Sequence, residues 1–218
     1  MSVSATYVRP RVKVCGMRTP ANVRAAADAG ADAVGVIADV SVDTHREVSV
    51  DRARELVASA PPFLATTLVT MADDPDEAVR LAETVRADHL QVHGLTDPDA
   101  LDALCGATTA RVVAAVDAGD DLASLDGHAD ALLVDSTDES GAGGTGETHD
   151  WERAAALVDR LDTPVVLAGG LTPENVGRAV QTVRPYAVDA ASGIERDEAV
   201  DPARVRSFVA AARAEVPA

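Results

Sequence analysis

The chain has 218 residues, enough for one domain with a sizeable core. With 19 Lys+Arg against 36 Asp+Glu its formal net charge is −17, which argues against nucleic acid as a partner and disfavours an anionic membrane surface. Hydrophobic residues make up 47% and aromatics only 2%, so the chain is globular and its core must be assembled from Ala, Val and Leu.

No apolar run is long enough to span a bilayer, and the first ten residues lack an apolar signal core, so a cytoplasmic protein is expected. Cys15 and Cys105 form neither a metal-ligand spacing nor a disulfide framework. Lys13 is the only lysine; every other strong base is Arg. An acidic surface with so little Lys suits a protein made for high salt, where self-repulsion is screened.

Eight short apolar runs, each ending in Gly or a polar residue and followed by a helical pattern, read as strands at 11–16, 33–38, 64–70, 89–94, 111–117, 131–135, 164–170 and 187–193. Their mean repeat, 218/8 or about 27 residues, suits a βα unit. Residues 21–29 carry Ala and Val at helical spacing, with Gly30 as a stop. The segment 51–60 ends at Pro61-Pro62, and 74–87 has Pro75 in its first turn. Residues 173–183 are expected to open with Thr172 as cap and Pro173 as first helical residue. Eight strands alternating with eight helical segments predict an α/β protein, a single (β/α)8 TIM barrel over residues 1–218. An open doubly wound sheet is the alternative. The Gly-, Ser- and acid-rich stretch 136–147 follows the sixth strand and reads as a functional loop.

Barrel enzymes of this kind place their chemistry at the C-terminal strand ends. Alternation in the first run puts Lys13 and Cys15 on one face and Val12 and Val14 on the other. A thiol beside a cation can act as a base; the competing reading is a buried small residue beside a lysine that reaches outward. Cys105, near the end of a helical segment, reads as core filler. Gln91 and His93 share a face at the end of the fourth run, which makes His93 a substrate or wall contact. Asp135 closes the sixth run, where a carboxylate is either an acid or a cap for loop amides. Glycine-rich stretches, Gly143-Gly144-Thr145-Gly146, Gly169-Gly170 and Ser192-Gly193, follow strands six, seven and eight. There they can bring backbone amides close to a phosphate. Arg46, after strand two, is either a solvated charge or a two-pronged carboxylate grip.

The quoted segments resemble one family. Lys13-Val14-Cys15-Gly16, Gln91-Val92-His93-Gly94 and Asp135 with the following Gly143-Gly144-Thr145-Gly146 and Asp150-Trp151 resemble, in order, the motifs of phosphoribosylanthranilate isomerases. So do Leu167-Ala168-Gly169-Gly170-Leu171 with Pro173 and Asn175-Val176, and Val188-Asp189-Ala190-Ala191-Ser192-Gly193-Ile194-Glu195. The chain departs from the family at Val36 and Ile37, where Phe is usual, at Thr44-His45 before Arg46, at His149 and at Ala191.

The resemblance implies an Amadori rearrangement in tryptophan biosynthesis, with Cys15 as general base and Asp135 as general acid. It implies that Arg46 holds the anthranilate carboxylate and that amides around Gly144, Gly170, Ser192 and Gly193 hold the phosphate. Asp189 would orient the anthranilate amine or pair with Lys13. No metal or organic cofactor is implied, and the partner is a small phosphoribosyl compound, bound by a monomer or homodimer. The alternatives are a non-catalytic phosphosugar-binding barrel and another isomerase on a phosphate-binding barrel. A thiol redox protein would need a Cys-x-x-Cys pair, which is missing.

Overall fold

The computed structural model describes residues 9–72, 74–117, 122–135 and 148–214. The expected loop at 136–147, and Gly144 within it, lies outside the described residues, as does most of the N-terminal segment.

Eight parallel strands close into a barrel in chain order: β1 (Arg11–Cys15), β2 (Ala33–Ile37), β3 (Ala65–Thr70), β4 (His89–His93), β5 (Arg111–Asp117), β6 (Ala131–Asp135), β7 (Val165–Ala168) and β8 (Ala187–Ala190). The helices around them are α1 (Pro20–Asp28), α2 (Val50–Ala58), α3 (Pro75–Val85), α4 (Pro98–Ala107), α5 (Thr148–Val158), α6 (Val176–Val183) and α7 (Pro202–Ala212). A two-stranded hairpin, β9 (Glu195–Arg196) and β10 (Ala199–Val200), lies between β8 and α7.

Period-two alternation sorts the strand side chains. Val12, Val14, Val34, Leu68, Leu90, Leu132 and Leu167 face the helices in one large apolar cluster. The smaller cluster of Ala115, Ala131, Leu133, Val166, Ala168 and Ala187 is separate from it. Alternation places those residues on the lumen side together with the buried polar groups Lys13, Thr67, Gln91 and Asp189. The lumen is therefore lined by both apolar and polar groups.

Local signals set the helix starts. Thr19, Asp74, Asp97 and Asp201 each cap a helix through the side chain, and each is followed by a proline at the first helical position. Thr172-Pro173 carries the same signal, yet α6 begins three residues later than expected. Asn175 takes over: its Oδ1 accepts from the Thr172 amide at 2.8 Å and its Nδ2 donates to the Gly170 carbonyl at 3.0 Å. That turn stabilises residues 172–175 outside the helix. A second correction concerns the segment after β5, where the described residues form a single 3-10 turn, Leu122–Leu125, in place of an eighth helix.

Candidate active site

On β1, Val12 and Val14 point into the helix layer, which leaves Lys13 and Cys15 inside the barrel. Cys15 is 5% exposed and sits opposite Gly35 of β2. A Cβ at Gly35 would lie 2.5 Å from the Cys15 Sγ, so the thiol occupies the space a side chain would take. The Gly35 carbonyl accepts from the amides of Gly16 and Met17, both at 3.0 Å, and so anchors the chain as it leaves β1.

Lys13 is paired in register with Asp189 of β8, and its Nζ donates to Asp189 Oδ2 at 2.6 Å. Both residues are buried. Burial disfavours the ammonium, but Asp189 and Cys15 outweigh it and hold the Lys13 pKa above its usual value. Burial pushes the Cys15 thiol up; Lys13 pulls it back, and the Asp189 charge adds to the rise. Asp189 Oδ1 is buried and has no hydrogen-bond partner among the described residues.

Asp135 ends β6, partly exposed at the barrel mouth. On β4 the Gln91 Nε2 and His93 Nε2 lie 2.9 Å apart, so the two residues share a face as expected. A cleft of about 240 Å³ at the C-terminal end joins Cys15, His93, Asp135, Gly170, Asp189 and Ser192 in one wall. Strands β7 and β8 separate Cys15 from Asp135 around the barrel.

The phosphate-type loops lie at the edge of this cleft. Gly169 and Gly170 have φ of 88° and 58°, left-handed conformations that glycine adopts without strain. After β8, the 3-10 turn Ser192–Ile194 packs so closely on the β7 loop that a Cβ at Gly193 would collide with the Leu171 carbonyl. Arg204 of α7 holds that turn by donating to the Gly193 carbonyl at 2.9 Å.

Arg46 and Gly193 do not line the cleft. The Arg46 guanidinium grips Glu195 through Nε at 2.9 Å and Nη2 at 2.5 Å, and His45 Nε2 meets the same carboxylate at 3.2 Å. Burial would raise the Glu195 pKa, but these bonds hold the carboxyl below the usual range. Arg46 thus has the two-pronged geometry expected of it, with a protein carboxylate as the partner. Sequence reasoning assigned no role to Gly35, Asn175, Glu195 or Arg204. A glycine inside a valine run was the available signal for Gly35; Glu195 bonds residues about 150 positions away, and Asn175 and Arg204 act through contacts to loop carbonyls and amides that no periodicity marks. Cys105 is partly buried beside the main core, with its thiol 3.6 Å from the His128 carbonyl.

A larger cavity, about 450 Å³, opens at the opposite end of the barrel. Several of its charged groups are already engaged: Arg111 with Asp130, Asp32 with Arg213, and Arg11 over the Tyr186 ring. The mouth cleft holds the reactive groups, at the end where barrels of this type carry their chemistry. Among the described residues no cluster of His, Cys, Asp and Glu could hold a metal ion, and no helix is long and apolar enough to cross a membrane.

The family model for N-(5'-phosphoribosyl)anthranilate isomerase matches residues 12–211. A relative of that name from Natronomonas pharaonis is 56% identical over 203 residues, 93% of this chain and 97% of its own. The crystal structure of phosphoribosyl anthranilate isomerase from Thermotoga maritima superposes with a TM-score of 0.81 at 30% identity, covering 93% of this chain and 98% of that one. A further phosphoribosyl anthranilate isomerase, solved in complex with reduced 1-(o-carboxyphenylamino)-1-deoxyribulose 5-phosphate, superposes with a TM-score of 0.75 at 26% identity, covering 93% and 98%. The match runs through both halves of the mouth cleft, from Cys15 to Ser192, and the chain belongs to the N-(5'-phosphoribosyl)anthranilate isomerase family.

Proposed function

We infer that this chain acts as a single barrel domain and isomerises N-(5'-phosphoribosyl)anthranilate to 1-(2-carboxyphenylamino)-1-deoxyribulose 5-phosphate, a step of tryptophan biosynthesis. The observation that carries this is the single cleft lined by both Cys15 and Asp135, with the Gly169-Gly170 and Ser192 loops at its edge.

The Asp135 carboxyl donates a proton to the furanose ring oxygen, the C1′–O bond breaks, and the nitrogen lone pair forms an iminium. The Cys15 thiolate then removes the C2′ proton, giving an enolamine. That enol tautomerises: C1′ gains a proton, the C2′ hydroxyl loses one, and the aminoketose results. No atom is gained or lost overall. Positioned acid–base groups of this kind contribute about 10²–10⁴-fold each. Backbone amides around Gly170, Ser192 and Gly193, with Gly144 from the loop after β6, hold the phosphate with neutral dipoles, which suits a strongly acidic protein. Arg46 holds the anthranilate carboxylate, exchanging part of its grip on Glu195. Asp189 serves with one oxygen each way: Oδ2 anchors Lys13 and Oδ1 is left for the anthranilate N–H. His93 walls the sugar side of the cleft. The enzyme works in the cytoplasm on this small phosphoribosyl substrate, as a monomer or homodimer.

The decisive experiment follows the loss of substrate fluorescence with the wild type, Cys15→Ala and Asp135→Asn. Each variant is expected to lose about 10²–10⁴-fold in kcat while keeping the wild-type far-ultraviolet spectrum. Near-wild-type turnover by either variant removes that residue from its role. No turnover by folded wild-type protein sinks the isomerase reading in favour of phosphosugar binding alone.

A further inference from the structure

The chain contains one lysine, and it is buried in the barrel lumen, where it also lines the cavity at the foot of the barrel. Everywhere else that a strong base is needed the sequence uses arginine. An ammonium is a compact point charge on a flexible stem, whereas a guanidinium is a wide planar fork. The Lys13 position is over-determined: β1 alternation turns it inward, the β1–β8 register sets it opposite Asp189, and a 2.6 Å ion pair holds the Nζ. Cys15 lies two residues on, on the same inward face of β1. Gly35 supplies the space in which the Sγ sits.

Resting on the reading of Cys15 as the base, we propose that Lys13 is a positioning residue for that base: anchored by Asp189, its ammonium stands beside the Cys15 Sγ and stabilises the thiolate as the proton leaves. Asp189 fixes where the charge sits. The pair is formally neutral, so it can be buried without a net charge, yet the thiol meets its positive end. A buried thiol with no cation beside it would stay protonated far into the alkaline range and would be a poor base. The other titratable groups lining the thiol's cleft are Asp135 on β6 and His93 on β4; β2 presents no titratable group, only Gly35 against the thiol and Ile37 in the cleft wall.

The test reads the thiol and the lysine separately from turnover. In a Cys105→Ala background, so that one thiol is seen, thiolate formation is followed by its ultraviolet absorbance against pH. Lys13→Met is expected to move the midpoint up by about one to three on the pH scale, the effect of losing an opposite charge a few ångströms away. The rising limb of kcat/KM should move with it. Because Lys13 is the sole lysine, protein labelled with ¹³Cε-lysine gives a single lysine side-chain signal. In folded wild-type protein that signal should inflect at the thiol's midpoint, and the inflection should vanish in Cys15→Ala. The labelled wild type alone decides the matter if Lys13→Met does not fold. A lysine signal that stays flat through the thiol midpoint, or a midpoint unmoved in folded Lys13→Met, overturns the proposal. These readouts do not depend on activity. Turnover retained by Cys15→Ala would instead overturn the assignment of Cys15 as base.

Discussion

Gly35 has no left-handed backbone conformation to explain it, so its missing side chain answers to a neighbour: a Cβ there would lie 2.5 Å from the Cys15 Sγ. Gly35→Ala must therefore displace the thiol or part β1 from β2. A reacting group misplaced by about 1 Å can cost on the order of 10²-fold in rate. Gly35→Ala is accordingly expected to lower kcat by about that factor, with a smaller loss of thermal stability from the added methyl. Unchanged kcat in a folded variant would show that the seat does not matter. At this scale the sequence was legible where a residue's meaning is local. Alternation alone puts Lys13 beside Cys15 and Gln91 beside His93, and the structure has both pairs on shared faces. It was illegible where two loops meet: Arg46 and Glu195 are 149 positions apart, and no periodicity links them.

Three pairs of strands repeat one small device at the foot of the barrel. Asp32, just before β2, accepts from the Val12 amide of β1 at 2.7 Å. Asp88, just before β4, accepts from the Thr66 amide of β3 at 2.8 Å, and Asp130, just before β6, accepts from the Val112 amide of β5 at 2.9 Å. Each even strand thus pins the start of the odd strand before it. At Asp88 burial works against the charged form, but the bonds from the Thr66 hydroxyl and amide outweigh it and lower the carboxyl's pKa. A depressed carboxylate contributes stability above the ordinary Asp range, about pH 4, and loses it as the pH falls through the depressed value. Asp88→Ala leaves the Thr66 amide without this acceptor. The variant should be less stable at pH 7 by about 1 kcal/mol, the low end of the range because water can reach the exposed carboxylate side. Its kcat and KM should match the wild type, since the foot of such a barrel serves stability. A denaturant midpoint equal to wild type at pH 7 would refute this. The strands were legible because parallel strands buried on both faces read as short apolar runs that end in Gly or polar residues. The helix starts were legible where a capping residue precedes proline, as at Asp74-Pro75. They misled at Thr172-Pro173, because the winning interaction came from the Asn175 side chain reaching back to the β7 loop.

The whole molecule carries a formal charge of −17 on 218 residues, and its one lysine is buried, so its surface faces strong self-repulsion. Surface pairs such as Arg52–Glu55 engage only part of the acidic excess, and exposed pairs contribute little. Screening is the remaining remedy: the Debye length falls from about 10 Å at 0.1 M salt to about 3 Å at 1 M. The thermal midpoint should therefore rise with KCl between about 0.1 M and 1 M and then level off, because repulsion beyond contact range is by then removed. Sulfate separates the causes. A midpoint that climbs without levelling in sulfate but stays flat in chloride would assign the effect to exclusion of the salt from apolar surface and would refute the electrostatic account. The same field opposes the approach of a substrate bearing a phosphate and a carboxylate. Across the range in which the folded fraction is constant, kcat/KM should then also rise with KCl, as steering of like charges predicts. A rise in stability without a rise in kcat/KM would mean that the mouth cleft is shielded from the surface charge, with the ammonium of Lys13 and the loop amides dominating the local potential.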